Sequence, residues 1–403
     1  MLVIFICISI IAILLTSGKK LTDRIAEFSK GAGHKSLLMM IWIFVLAGAF
    51  ASSAKEMGAV ESTVNLTLEL LPTQFLLAGL FLSACVVSLC MGTSVGTIVA
   101  LVPIAAGMAD QTDMSVALMT ASIVGGAFFG DNLSFISDTT IVATQSQGCK
   151  PSDKFRYNLR MVLPAAVIVT IIYLLMGSSA SEVVVGKLLL WKIIPYATVL
   201  ILATCGMNVM IVLLMGIVLT GVVGIADGSY TFIDWTKHLT SGIMGMSELI
   251  LISMMAGGIF ALISHQGVMQ RLVDMVICGV RSRKGAEMSI CTIVAIANIA
   301  TANNTVTILS VGDIAKKIAK RFDIDPRRVA SLLDTSSCTV QGLIPYGAQL
   351  LIAVSLLKEE GITDISTMDI MPYLFYPMLI GLSVLLTIFL SKRSAKVNNN
   401  SKI

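Results

Sequence analysis

Apolar residues run along this chain in membrane-length blocks, not in the short alternations of a soluble domain. Such stretches fall near residues 1–16, 36–53, 161–178, 188–204, 207–224, 242–264 and 370–390. Each predicts a helix across a hydrocarbon layer about 30 Å thick, which takes roughly 20 apolar residues at 1.5 Å per residue. Four further stretches, 72–107, 114–148, 286–315 and 328–357, carry a polar, Gly-rich or Pro-containing interruption near the middle. A continuous 35-residue helix would measure about 52 Å, too long for that layer. These four predict re-entrant hairpins or broken helices, with irregular backbone where it lines a cavity or is buried in protein.

The distribution of Lys and Arg adds direction. Basic groups cluster at 19–35, 150–160, 281–284 and 316–328 and in the tail from Lys392, while loops at 54–71, 178–187, 225–241 and 358–369 are poorer in them. Positive charge stays on the cytoplasmic side, so the first set is expected inside, with the N-terminus outside and the C-terminus in the cytoplasm. Parity then makes one of 72–107 and 114–148 a hairpin and the other a crossing, assigned as a hairpin turning at 92–97 and a crossing unwound at 130–138. Likewise 286–315 is a hairpin turning at 301–305, and 328–357 a crossing broken at 334–345. The order helix, loop, hairpin, broken helix, helix thus occurs at 36–178 and again at 242–390. Paired starts at 36 and 242, 72 and 286, 114 and 328, and 161 and 370 are offset by 206, 214, 214 and 209. The second unit starts from the opposite side, which is the inverted repeat of a secondary transporter with its site near the midplane. Segments 64–71 and 262–285 read as interfacial amphipathic helices.

Composition agrees. Of 403 residues, 56% are hydrophobic and 13% charged, against about 25% charged in soluble domains. No polar region is long enough for a second domain, and nothing points to a nucleic-acid partner. The N-terminus MLVIFICISIIAILLTSGKK lacks a basic n-region and a cleavage site, so it reads as a first transmembrane helix. Eight cysteines without a CxxC pair, and His34, His238 and His265 at loops or helix ends, build no metal cluster. No cofactor is expected.

The candidate chemistry sits at residues 125–148, GGAFFGDNLSFISDTTIVATQSQG. A charge at the bilayer centre costs about 2.5–3.5 kcal/mol on insertion scales, so Asp131 and Asp138 need compensation there. Asn132, Ser134, Ser137, Thr139 and Thr140 surround them with hard oxygen ligands suited to a small cation or a proton. Thr93 and Ser94 at the first hairpin tip join this set. Asn303, Asn304 and Thr305 at the second tip, with Asp334 and Thr335 beside the second break, are expected to complete the pocket from the other repeat.

The stretch GGAFFGDNLSFISDTT resembles the signature of the NhaC-type Na⁺/H⁺ antiporters of the ion transporter superfamily, roughly G-A-x-F-G-D-K-x-S-P-L-S-D-T-T. Gly130, Asp131, Ser134, Ser137, Asp138, Thr139 and Thr140 match it; Asn132 stands in place of Lys and Phe135 in place of Pro. LLDTSSCTVQGLIPYG is similar to the family's later D-T-x-x-x-x-x-x-L-I-P-W segment, with Tyr346 in place of Trp. The resemblance covers most of the chain and implies Na⁺ and H⁺ as the transported ions. It also implies a homodimer and admits malate/lactate or amino-acid carriage.

The expectation is therefore an all-α integral membrane protein with inverted repeats, re-entrant hairpins and broken helices. It would exchange Na⁺ for H⁺ by alternating access, with Asp131 and Asp138 binding Na⁺. The rival is a Na⁺-coupled carrier of an organic acid or amino acid, and no Arg or Lys falls in the inferred pocket to pair with a dicarboxylate. An intramembrane aspartyl protease is disfavoured, because Phe128-Phe129-Gly130 precedes Asp131 and no Tyr-Asp pair occurs. A channel fits closed hairpins poorly.

Overall fold

The computed structural model describes residues 2–16, 20–70, 72–112, 114–134, 137–177, 189–205, 207–267, 271 and 280–390. Among these residues every regular element is a helix. In chain order they are α1 (Leu2–Leu15), α2 (Leu21–Ala32), α3 (Lys35–Glu56), α4 (Ala59–Leu70), α5 (Leu76–Met91), α6 (Ser94–Thr112), α7 (Val116–Leu133), α8 (Asp138–Gln147), α9 (Pro151–Met176) and α10 (Leu190–Thr204). There follow α11 (Val209–Ala226), α12 (Phe232–Gly245), α13 (Ser247–His265), α14 (Arg283–Thr301), α15 (Asn304–Arg321), α16 (Pro326–Leu343), α17 (Ala348–Glu359), the single-turn α18 (Thr367–Ile370) and α19 (Phe375–Leu390). Among the described residues five helical spans are long and apolar enough to cross a membrane, one of them α12 and α13 together, or up to seven if each bent pair counts as one span.

Local chemistry places the interruptions. The hairpin α5–α6 turns at Gly92, which sits at φ 68° and donates its N–H to Ser88 O; only glycine takes that conformation without steric cost. The hairpin α14–α15 turns the same way at Ala302, φ 51°, and Asn303 then caps α15 by accepting from Val306 N at 3.0 Å. The α7–α8 break closes on one side with Ser134 N–H donating to Gly130 O and opens on the other with Ser137 capping Thr140 N. Phe135 lies outside the described residues, as does the Asp138 side chain.

These landmarks share one register. Gly92 and Ala302, Ser94 and Asn304, Val116 and Pro326, Leu133 and Leu343, and Asp138 and Ala348 are each 210 positions apart. The offsets of 206 to 214 read from hydropathy scatter around this value, because hydropathy blurs helix ends that caps define sharply.

Several expectations are corrected. The second break does not begin at Asp334: α16 runs unbroken through it to Leu343, and the bend of 41° to α17 falls at 344–347. The polar run is absorbed because Thr335 Oγ1 donates to Ser331 O and Ser337 Oγ to Asp334 O, whereas Pro345 removes a backbone donor. Residues 150–160 are not a loop but the first turns of α9, opened by Pro151. Residues 232–241 belong to α12, which packs backbone to backbone on α3: a Cβ on Gly242 would lie 2.0 Å from Gly48 O. Segment 64–71 does not lie free on the surface, since Val64 and Asn65 of α4 are fully buried against neighbouring helices. Of the proposed amphipathic segment 262–285, residues 262–265 end α13 and 283–285 open α14, while 268–270 and 272–279 lie outside the described residues.

One contact positions the site. A Cβ on Gly126 would fall 2.4 Å from Phe81 O, and one on Gly130 2.4 Å from Leu89 N. The two glycines let α7 lie directly on α5, so the residue after Gly130 arrives beside the first hairpin tip.

Candidate functional site

Asp131 occupies the last turn of α7 and is 5% exposed. Ser94 Oγ, from the first hairpin tip, donates to its Oδ2 at 3.2 Å, and Thr139 Oγ1, from the first turn of α8, donates to its Oδ1 at 3.4 Å. Ser137 Oγ donates to the Asp131 carbonyl at 3.0 Å. Two side chains, one from the hairpin tip and one from the far side of the break, thus converge on one buried carboxylate, and a third holds its backbone carbonyl. The line continues into the second half: Gln349 Nε2 donates to Ser94 Oγ at 3.0 Å, and Gln341 Nε2 donates to Gln349 Oε1 at 3.1 Å and to Ala302 O at 2.8 Å.

These groups face a cavity of about 550 Å³. Asp131, Thr139, Thr93, Ser94, Asn303, Asn304 and Thr305 all line it, together with Gln341 and Gln349. Met39, Met40, Met207 and Met210 contribute apolar wall. Asp131 is the one charged residue among the described lining residues.

Six of the residues singled out from the sequence do not line this cavity, among them Ser137 and Thr140, which bond each other at the start of α8. Asn132 is buried behind it, its Nδ2 donating to Phe128 O and to Tyr376 Oη. Ser134 is buried at the C-cap of α7. Thr335 spends its hydroxyl on its own helix. Asp334 is fully buried two turns into α16 and is paired with Lys154, with Nζ to Oδ2 at 2.8 Å. Its register partner in the first half is Val124, not Asp131.

Lys154 is the main surprise. Placed in a solvated basic loop by its neighbours in sequence, its side chain is 1% exposed. Nζ also donates to Asn132 O at 3.3 Å and to Thr140 Oγ1. Asn158, one turn on, donates from Nδ2 to Asn132 O at 2.7 Å and to Asp334 Oδ2 at 2.9 Å. A buried pair of this kind costs little net energy only when the remaining hydrogen bonds are made. Here Asp334 Oδ2 takes both Lys154 and Asn158 while its Oδ1 finds no partner among the described residues, and the bonds that are made tie the α7–α8 break to the middle of α16. No Lys or Arg lines the cavity itself among the described residues, but one stands a single layer behind it.

Two signals for the missed residues were present. Lys154, Asn158, Met161, Val162, Ala165, Val169 and Tyr173 recur at helical spacing and are the buried face of α9. Gln341 and Gln349 lie 210 positions after Asp131 and Thr139, so the correct register would have singled them out.

The sequence matches a family model described as the Na⁺/H⁺ antiporter family over residues 1–178 and 181–392. It is 23% identical over 383 residues to the Na(+)/H(+) antiporter NhaC of Bacillus subtilis (strain 168), covering 85% of this chain and 81% of that protein. It is 22% identical over 392 residues to the Malate-2H(+)/Na(+)-lactate antiporter of the same organism, covering 88% and 81%. Among solved structures it is similar to the Alcanivorax borkumensis YdaH transporter, described as having an unusual topology. That likeness has a TM-score of 0.50 at 10% identity and covers 96% of this chain and 97% of that one; it is a likeness of fold.

Proposed function

The chain belongs to the Na⁺/H⁺ antiporter family, multi-pass membrane transporters and not enzymes, and on that premise we propose that Asp131 is the group for which Na⁺ and H⁺ compete. The observation that supports this is that Asp131 carries the single formal charge on the cavity among its described lining residues. A Na⁺ ion stripped of water needs several hard oxygens. The Asp131 carboxylate, the Ser94 and Thr139 hydroxyls and the carbonyls freed at the α7–α8 break supply them. Asp138, at the first position of α8, is the second carboxylate of this reading. One carboxylate accepts either a proton or a cation, so loading one expels the other, and that exclusion is sufficient for exchange of Na⁺ for H⁺.

In this reading the halves 36–178 and 242–390 are the moving repeats, and alternate access opens the shared cavity to each side in turn. The N-terminus is outside and the C-terminus cytoplasmic, as the basic residues of α2, α9 and α15 require. Na⁺-coupled carriage of an organic acid ranks second, because a cavity with a carboxylate and no cationic side chain repels a dicarboxylate.

The test is Asp131→Asn in proteoliposomes carrying a lumenal pH dye. The change keeps size and removes charge and the titratable proton. Na⁺-driven proton flux is expected to fall to background while the protein stays folded in detergent. Flux at the wild-type rate would remove Asp131 from the mechanism.

A further inference from the structure

We propose that the cavity also binds small organic monocations that carry a second hydrogen-bonding group, with the cation on Asp131 and the polar end on Gln341. The proposal rests on Asp131 being the cation ligand and adds a substrate or inhibitor class to that reading.

Size is the first argument. A cavity of about 550 Å³ falls within the range of about 300–1,000 Å³ typical of organic-ligand pockets, while one water's share of liquid volume is about 30 Å³. Charge is the second. The described lining carries one carboxylate and no Lys, Arg or His, so a ligand of single positive charge is favoured over an anion.

The shared register supplies the third. Asp131 corresponds to Gln341, Thr139 to Gln349 and Ser94 to Asn304, each 210 positions on. The second half therefore repeats the first with the carboxylate and both hydroxyls replaced by carboxamides. That neutral half is not fully satisfied. Gln341 is 1% exposed, and its Oε1 accepts no hydrogen bond from the described residues. A buried acceptor left unmade costs about 1–3 kcal/mol, so it calls for a donor. The N-terminus of α17 beside it has no side-chain cap, Gly347 being at the N-cap, and so offers backbone N–H groups. A hydroxyl satisfies both, donating to Gln341 Oε1 and accepting from the helix end. Gln341 and Asp131 stand at opposite ends of the hydrogen-bonded line through Gln349 and Ser94. A short ammonium with a terminal hydroxyl matches that arrangement, and the methionine walls suit its methylene stem.

The test uses purified full-length protein in detergent, because neutral amines cross bilayers and collapse pH gradients. Binding of ω-hydroxyalkylammonium ions of two to four carbons is read by thermal shift and by competition against Na⁺. Each is compared with the isosteric n-alkylammonium. The hydroxyl form of at least one length is expected to compete with Na⁺ and to bind about fivefold more tightly than its isostere, the worth of one hydrogen bond. Gln341→Leu is expected to erase that preference, and Asp131→Asn to abolish binding of both forms. The wild-type comparison needs no variant, so a Gln341→Leu protein that does not fold leaves the test intact. Absence of a thermal shift with any ammonium, equal binding of each isosteric pair, or glycine binding as well as the amino alcohols would overturn the proposal. Ammonium binding read directly by thermal shift in wild type, with no Na⁺ binding, would sink the Na⁺ reading and not this one.

Discussion

A lysine inside a membrane protein is tolerable only with its charge matched, and Lys154 shows how. Its ammonium meets Asp334 at 2.8 Å, and both are shielded from solvent. Asn158 Nδ2 bonds the same Asp334 oxygen, and Asn158 Oδ1 accepts from Ser331. Asp334 is thereby neutralised in place and does not add a free negative charge to the cavity. Removing one member of a buried pair costs about 3–5 kcal/mol, because the survivor is left charged and unpaired. Lys154→Met is expected to lower stability in detergent by that order. Asp334→Asn placed in the same chain is expected to recover most of the loss, since the stranded charge is then gone. Denaturation of the two singles and the double gives the coupling. Additive losses would show that the two groups do not hold each other.

At the scale of elements, the site depends on how closely α7 lies on α5. Gly130 leaves no room for a side chain: a Cβ there would fall 2.4 Å from both Leu89 N and Ser88 Cβ. Ser88 Oγ already donates to Ala127 O at 2.6 Å across the same contact. Gly130→Ala must push the two helices apart next to Asp131, moving the carboxylate away from Ser94. Misplacement by about 1 Å can cost as much as 100-fold in rate where groups must be aligned. Exchange is expected to fall at least tenfold by that reckoning, with protein still present in the membrane. An unchanged rate in the pH-dye assay would mean that the Ser94–Asp131 contact is dispensable. The second hairpin tip shows the complementary device: Gln341 Nε2 on the Ala302 carbonyl holds a left-handed turn that lacks a glycine.

For the whole molecule, the hairpins and breaks recur with one offset, yet the two copies differ in charge. The first copy has Asp131 at the position where the second has Gln341, so a fold built twice presents a charged half and a neutral half to one cavity. The proposed orientation is testable at two exposed sites. In a background lacking the exposed Cys7 and Cys205, a cysteine replacing Asp364 is expected to react with an impermeant reagent in intact cells. One replacing Lys320 is expected to react only after lysis. The opposite pattern would invert the assignment of sides.

The membrane class, the two hairpin turns, the α7–α8 break and a buried carboxylate at Asp131 beside it were all legible in the sequence, because each rests on a local cost. Hydrophobic length, Gly92, a polar tip at 301–305 and a carboxylate in an apolar run impose the same requirement whatever surrounds them. The second break was legible only roughly. Polar residues at 334–337 read as an interruption, but in the fold their hydroxyls bond their own helix and their charge meets Lys154. Partners far apart in the chain were the province of the tertiary structure. Lys154 reaches Asp334 across α9 and α16, and Gln349 reaches Ser94 over a separation of 255 residues. A buried charge or amide announces in sequence that it must be satisfied. Which group satisfies it depends on the packing of helices whose contacts carry no local signature.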